Sequence, residues 1–466
     1  MPGAMKYFLD LNDPEYRELE KAYTVEYDTR LAKIKKHRDY YDGIMKKPLK
    51  IEQDDLDDNV LLTQVNQVTD RVVSFLLGKG IEFDVGADDE QTKDDETVAQ
   101  LWKANRGAML HQNLAMAGAF SGHVWLRLEP PTEPNALPHI IPLDPAHCSV
   151  FWQADDMSNV LWYRLQYKLG GEGKAAGEGA GKRIDYVRGS AMPQADPEAM
   201  GWYEIVYLAD KQRGYEWTPL DSPRLLSWQF SPIVEWQNMP RPHGYYGADD
   251  VSRAVALNDS INFVASSYNR ILKHHGHPKT IAIGVTPTDV VPSKIGGLWT
   301  INKPDAKVFN LEMQSDLSNA REFLAILLRE LWHSTRMVDP QAIKDSVGSL
   351  TNFGLRVLYS DAVNMISTKR LLYEEGLVLA TKRALEMAGQ TPPEIISIRW
   401  PEVLPIDTAE EVKGLIEEFN AGLIDKQTYR ERRGYDSELI EQRMQEEKTE
   451  ETNLGSQLLA AFSKGQ

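Results

Sequence analysis

Apolar positions along the chain fall into three regimes. From Pro14 to Tyr41 the sequence is charged but helical in rhythm, and it ends in a polar break, DGIMKKPLKIEQDD. Val60, Leu61, Val65, Val68, Val72 and Phe75 or Leu76 then recur at helical spacing. They predict a helix capped by Asn59 and stopped by Gly78. IEFDVG alternates like a short strand. The acidic run ADDEQTKDDET leads into what reads as one continuous helix, TVAQLWKANRGAMLHQNLAMAGAFSG, ended by Gly122.

The second regime, His123 to about Phe230, is dominated by strand signals. HVWLRLE, HIIPLD, CSVFWQ, VLWYRLQYKL, RIDYVRG, WYEIVYLA and LLSWQF are rich in aromatic and β-branched residues and are bounded by turn formers. SPIVEWQNMPRPHGYYGADD reads as a connection out of this region. In the third regime helices return. DDVSRAVALNDSINFVASSYNRILKHH, from Asp249 to about His275, would extend roughly 40 Å at the helical rise. Val251, Val255, Ile261, Val264 or Ala265, Tyr268 and Leu272 form its apolar stripe, while Asp259, Asn262, Ser266 and Asn269 keep another face polar. Gly276 and Pro278 end it. A segment of strand and turn character follows, then a helix, SDLSNAREFLAILLRELWHSTRM, with Leu317, Leu324, Leu327 or Leu328, and Leu331 on one side. The polar stretch MVDPQAIKDSVGSLTNFG, broken by Pro340, Gly348 and Gly354, separates it from a long helical run, Leu350 to about Gly389. EIISIRWPEVLPID reads as a returning strand, and the tail as short helices with a frayed end.

Composition narrows the classes. The 466 residues can build two or three domains, and 42% hydrophobic with 26% charged content is ordinary for a globular protein. No apolar run suggests a membrane span and no secretory signal is visible. A single cysteine, Cys148, excludes an intrachain disulfide framework and fits a reducing compartment. The net charge of -17 argues against a tight, sequence-reading DNA binder, since neutralising phosphates supplies much of that affinity. It is compatible with a surface that DNA slides past.

Order and character together resemble the portal proteins of tailed bacteriophages, in the siphophage-type branch. NVLLTQVNQVTDRVVSFLLGKGIEF, HGYYGADDVSRAVALNDSINFVASSYNRIL, DSVGSLTNFGLRVLYSDAV and IRWPEVLPIDTAEEVKGLIEEFNAGLIDKQTYRE carry the resemblance, which spans about Asn59 to Arg432. It implies an α+β, predominantly helical fold assembling as a ring, expected to be dodecameric. Residues 1–248 would form the wing, 249–276 the first stem helix, 277–315 the clip and 316–336 the second stem helix. Residues 337–351 would be a tunnel loop, 352–406 a long wing helix with its return strand, and 407–466 the crown and tail. The implied function is a structural channel for packaging and ejecting double-stranded DNA at a capsid vertex, assembled in the host cytoplasm. The implied partners are copies of itself, DNA held without sequence preference, a terminase, head–tail connector or adaptor proteins, and the major capsid and scaffolding proteins; no membrane is implied.

The candidate residues follow from that frame. Gln341, Lys344, Asp345, Ser346, Ser349, Thr351 and Asn352 would offer weak, replaceable contacts to phosphates from the tunnel loop. Lys273, His274, His275 and Lys279 would form a weakly basic zone near the clip, although cations at a helix C-terminus also simply complement its dipole. His274, His275 and His277 are a poor metal set, because adjacent helical side chains diverge and no carboxylate completes them. Arg321, Arg329 and Arg336 recur along the second stem helix, and Glu322 and Glu330 follow closely, which suits solvated or intersubunit salt bridges better than DNA contacts. Histidines 37, 111, 123, 139 and 147 are scattered without a paired nucleophile, so no enzyme activity, cofactor or metal is expected. Two alternatives are a nucleotide-binding enzyme using Gly170–Arg183 and another ring-forming virion connector. The first fails the phosphate-loop pattern: no glycine stands five residues before Gly181, and Arg183 replaces the magnesium-binding Ser or Thr. GGEGKAAGEGAGKR then reads as a hairpin tip.

Overall fold

The computed structural model describes residues 14–51, 57–86, 93–131, 133, 136–153, 155–168, 180–192, 201–210, 216–242, 244–276, 279–283, 305, 307–311, 317–340, 352–404, 408–433, 440, 443 and 444. The chain divides into two compact units. The larger comprises Met1–Leu350 with Val357–Pro401, and the smaller Thr351–Arg356 with Glu402–Gln466.

The larger unit opens with helices α1 (Pro14–Tyr41), α2 (Gln64–Leu77), α3 (Lys93–Ala104) and α4 (Gly107–Ser121), with β1 (Glu82–Val85) before α3. The sequence reading merged α3 and α4. The break falls at Asn105 and Arg106, where Arg106 takes a left-handed φ of 55°. The buried Asn105 side chain holds the corner by donating to Leu101 O and Pro138 O and by accepting the Ile140 N–H. Gly122, at φ 82°, ends α4 as expected.

Strands β2 (His123–Glu129), β3 (His139–Pro142) and β10 (Ile233–Gln237) form one antiparallel sheet in the order β10-β2-β3. A second sheet runs β4 (Cys148–Trp152), β5 (Val160–Lys168), β6 (Gly181–Arg188), β7 (Trp202–Ala209) and β8 (Thr218–Pro219), with β9 (Arg224–Leu225) also on β7. Two sequence expectations need correction here. LLSWQF is not a full strand, since only Leu225 of it belongs to β9. IVEWQ, assigned to a connection, is β10, whose bonds to β2 and buried Ile233, Val234 and Trp236 outweigh the flanking Pro and Gly.

Both faces of β5 and β6 are covered, so alternate residues along each strand enter two different cores. Tyr163, Leu165, Ile184 and Tyr186 join Trp125 and Ile233 in a core shared with the smaller sheet. Trp162, Val187, Ile205 and Tyr207 form a second cluster on the opposite face. Arg164 and Asp185 stand on that face as direct cross-strand partners and form a fully buried ion pair, with Arg183 bonded to the same carboxylate. The Arg164 guanidinium lies 4.7 Å from the Tyr23 ring centroid, so α1 crosses this face.

The remaining helices are α5 (Ser252–Gly276), α6 (Leu317–Ser334), α7 (Asn352–Leu358) and α8 (Ser360–Met387), with the hairpin β11 (Lys279–Ile283) and β12 (Lys307–Leu311) between α5 and α6. The long run read as one helix is therefore two, parted at Tyr359, and Gly389 stops it at φ 75°. β13 (Ile396–Arg399) pairs antiparallel with β1, which answers where the returning strand goes. Gly376 lets α8 meet the sheet. A Cβ there would lie 2.2 Å from the Trp236 ring. In the smaller unit α9 (Thr408–Asn420) packs on α10 (Lys426–Arg432), with Phe419 against Tyr429.

Candidate nucleic-acid interface

α5 and α6 pack against one another, and the antiparallel strands β11 and β12 lie between them in the chain. Val251, Val255 and Ile261 of the expected apolar stripe are buried, but Leu272 is exposed. Phe263 on α5 and Phe323 and Ile326 on α6 are each at least half exposed.

Three polar clusters hold α5. At its start Asp249 is the cap: Oδ1 accepts the Val251 and Ser252 N–H groups, and Oδ2 accepts from the Ser252 hydroxyl and from Lys33 Nζ at 2.7 Å. His37 stands beside them, with Nδ1 2.7 Å from Phe120 O and Nε2 3.3 Å from Ser252 Oγ. The Ser, His and Asp are near neighbours, yet this is not a nucleophilic relay. The imidazole Nδ1 is spent on a backbone carbonyl and the serine proton on the cap carboxylate. Burial lowers the His37 pKa and favours the neutral ring.

One residue on, Asp250 forms a sealed ion pair with Lys369 of α8. Asn238, fully buried at the end of β10, accepts from Lys369 Nζ and from Tyr373 OH at 3.1 Å each, and donates to Ala248 O and Asp250.

The third cluster is the polar face itself. Residues 58–63 run as an extended strap along it. Gln64 N–H donates to Asn258 Oδ1 at 2.9 Å, Leu62 N–H to Asn262 Oδ1 at 2.8 Å, and Val60 N–H to Ser266 Oγ at 2.9 Å. Four helical residues rise about 6 Å, and two extended residues span nearly the same, so alternate strap amides meet every fourth helix position. Asn269 donates to Asp58 O, and Arg270 grips the Asp58 carboxylate with two bonds, at 2.6 and 2.7 Å. That contact holds the Asp58 carboxyl below the usual range.

This arrangement corrects the expected cap at Asn59. The helix begins only at Gln64, because the preceding amides are taken by α5, and the Asn59 side chain instead accepts the Leu49 N–H and donates to Leu49 O. Asn258, Asn262 and Ser266 are buried. The face read as merely polar is thus a packed interface. Its signal was visible, since two asparagines and a serine at i, i+4 and i+8 are poor helix formers with a shared direction.

The candidate residues are placed as follows. Lys273 is half-buried in the last turns of α5. His274 and His275 lie in the final turn and Lys279 opens β11, but their side chains are outside the described residues. Gln341, Lys344, Asp345, Ser346, Ser349 and Thr351 also lie outside them, as does the side chain of Asn352, whose backbone starts α7. α6 does not wait for Pro340 to end. Arg336, at φ 57°, turns the chain left-handed, and Met337 N–H returns to Trp332 O while Met337 is buried. Arg336 therefore lies beyond α6 rather than on it. Arg321 and Arg329 are exposed, and neither is ion-paired with Glu322 or Glu330 among the described residues.

The Gly170–Arg183 segment joins β5 to β6, which pair antiparallel down to Lys168 and Gly181. A phosphate-binding loop of the P-loop kind passes from a strand into a helix, whose N-terminus faces the anion. Two hairpin strands supply no such terminus. Residues 169–179 lie outside the described ones.

Residues 20–179 match the model of a family described as phage portal protein, SPP1 Gp6-like. Among curated proteins none matches the chain. Two similar solved chains come from the virion of a native gene transfer agent particle and the neck of an empty one computed with C6 symmetry. The first is 14% identical, covering 80% of this chain and 88% of that one, with a TM-score of 0.47. The second is 15% identical, covering 80% and 89%, with a TM-score of 0.49. The family matched over residues 20–179 is the one that the order of the parts resembles, so across that stretch the chain is matched to the phage portal proteins.

Proposed function

We propose that this chain is the subunit of a portal ring at the vertex of a phage-like capsid, through which double-stranded DNA is packaged and released. The observation that carries the reading is the pair α5 and α6, packed together and joined in sequence by one antiparallel hairpin, in a chain whose residues 20–179 match a portal family. In this reading α5 and α6 are the stem, β11 and β12 belong to the clip, α8 with the two sheets is the wing, and α9 and α10 belong to the crown. Half-exposed Phe263, Phe323 and Ile326 would be covered by neighbouring copies, as an oligomer requires of apolar side chains on a rod. The clip is the docking place for the terminase during packaging and for connector proteins afterwards. The loop at 341–351, with the basic end of α5, supplies phosphate contacts too weak to capture the duplex, in keeping with a net charge of -17.

Electron microscopy of the purified protein tests this. Rings with a central hole and about twelve-fold symmetry are expected. Monomers or dimers under every solution condition would refute it.

A further inference from the structure

Asn258 and Asn262 hold the strap through their side-chain oxygens, and their amide nitrogens point to a common atom. Asn258 Nδ2 donates to Met45 Sδ at 3.1 Å, and Asn262 Nδ2 approaches the same sulfur at 3.5 Å. A thioether is a weak acceptor for two buried amides. Met45 is half-buried in the loop after α1, on the flank of the cluster of Tyr40, Val65, Phe120, Val251, Ala254 and Val255. Each asparagine is therefore a relay, with sulfur at its N–H end and a strap amide at its oxygen end. Ser266 serves the third rung and has no bond to the sulfur.

We propose that Met45 is a site of oxidative modification, and that its sulfoxide tightens the strap on α5. The oxidant is a peroxide. Its O–O bond breaks, one oxygen bonds to sulfur as S=O, the sulfur gives up two electrons, and the peroxide is reduced to water. No chain bond is cut, and methionine sulfoxide reductases reverse the change. The new oxygen is a far better acceptor than the thioether. Amide N–H groups that donate more strongly make their own carbonyl oxygens better acceptors, because hydrogen bonds in a chain polarise one another. The bonds from Leu62 and Gln64 strengthen, while the Val60 bond to Ser266 does not. The inference stands independently of the ring assignment.

The test treats the full-length protein with hydrogen peroxide, maps added oxygen by peptide mass spectrometry, and follows hydrogen exchange at single amides. The expected result is one oxygen on Met45, several-fold slower exchange at Leu62 and Gln64, and no change at Val60. Reductase treatment restores the original rates, and Met45→Leu abolishes the response while Val60 stays protected. The proposal is overturned if Met45 remains unmodified when the exposed Met109 and Met157 are oxidised. It is equally overturned if Leu62 and Gln64 exchange at unchanged or faster rates, or slow only in step with Val60.

Discussion

The Lys369 ammonium meets the Asp250 carboxylate where α8 passes the foot of α5, and both groups are sealed from solvent. Asn238 accepts from the same ammonium and donates to the same carboxylate, so the pair ties the end of β10 to both helices. Burial pushes the lysine pKa down and Asp250 opposes the shift. Removing one partner leaves a buried charge without its counterion. Lys369→Met should cost about 3–5 kcal/mol in denaturant unfolding at neutral pH. Adding Asp250→Asn should recover part of that loss. A double variant less stable than Lys369→Met would show that the two charges do not act as a pair.

The contact of Gly376 with Trp236 sets a steric limit. An added methyl would sit 2.2 Å from the indole ring, on a helix and a strand each fixed by further packing. Gly376→Ala gains helix propensity elsewhere in proteins, yet here it should destabilise by about 1–3 kcal/mol through overpacking. The unfolding midpoint measures this, and Gly414→Ala, where a Cβ meets nothing within 4 Å, is the control with the opposite expected sign.

His111 should make the protein acid-sensitive. It is buried against Trp102 and Phe83, and burial lowers its pKa to about 4. The unfolded chain protonates near the ordinary histidine value of about 6.5, so between these values it binds more protons than the folded one. Stability therefore falls as pH drops from about 6.5 towards 4, by up to about 3 kcal/mol, and this contribution levels off below. His111→Leu should flatten the pH dependence over that window. An unchanged slope would place the acid sensitivity elsewhere.

Replacing residues 341–351 with a short Gly/Ser linker tests the proposed loop contact with DNA. The replacement should begin after Pro340, because buried Met337 closes α6 and its loss would disturb the helix itself. Rings should form normally while DNA packaging or retention falls. Normal packaging would remove the loop from the mechanism.

Much of this chain was legible residue by residue. Apolar periodicity placed α2, α5 and α6, alternation placed β1, aromatic and β-branched content between turn formers placed β2 to β7, and Gly122 and Gly389 ended their helices by taking positive φ. These are local properties, set by side-chain spacing and by the conformations a single residue tolerates. What local pattern could not settle was decided by distant partners. The chain broke at Arg106 because Asn105 found Pro138 and Ile140, and IVEWQ became a strand because β2 offered it a ladder.

The candidate site divides along the same line. The basic end of α5 and the polar loop after α6 are written in residue types, and so is the paired-rod order with a hairpin between. The clasp of strap and helix is not. Asp259, Asn262, Ser266 and Asn269 announced a polar face, but whether that face meets water, DNA or protein backbone depended on a segment some 200 residues away. Sequence alone determined where most rods and strands form, since that follows from periodicity and propensity. Tertiary structure alone decided which polar groups are buried, because a buried amide must find its partner wherever the fold brings one.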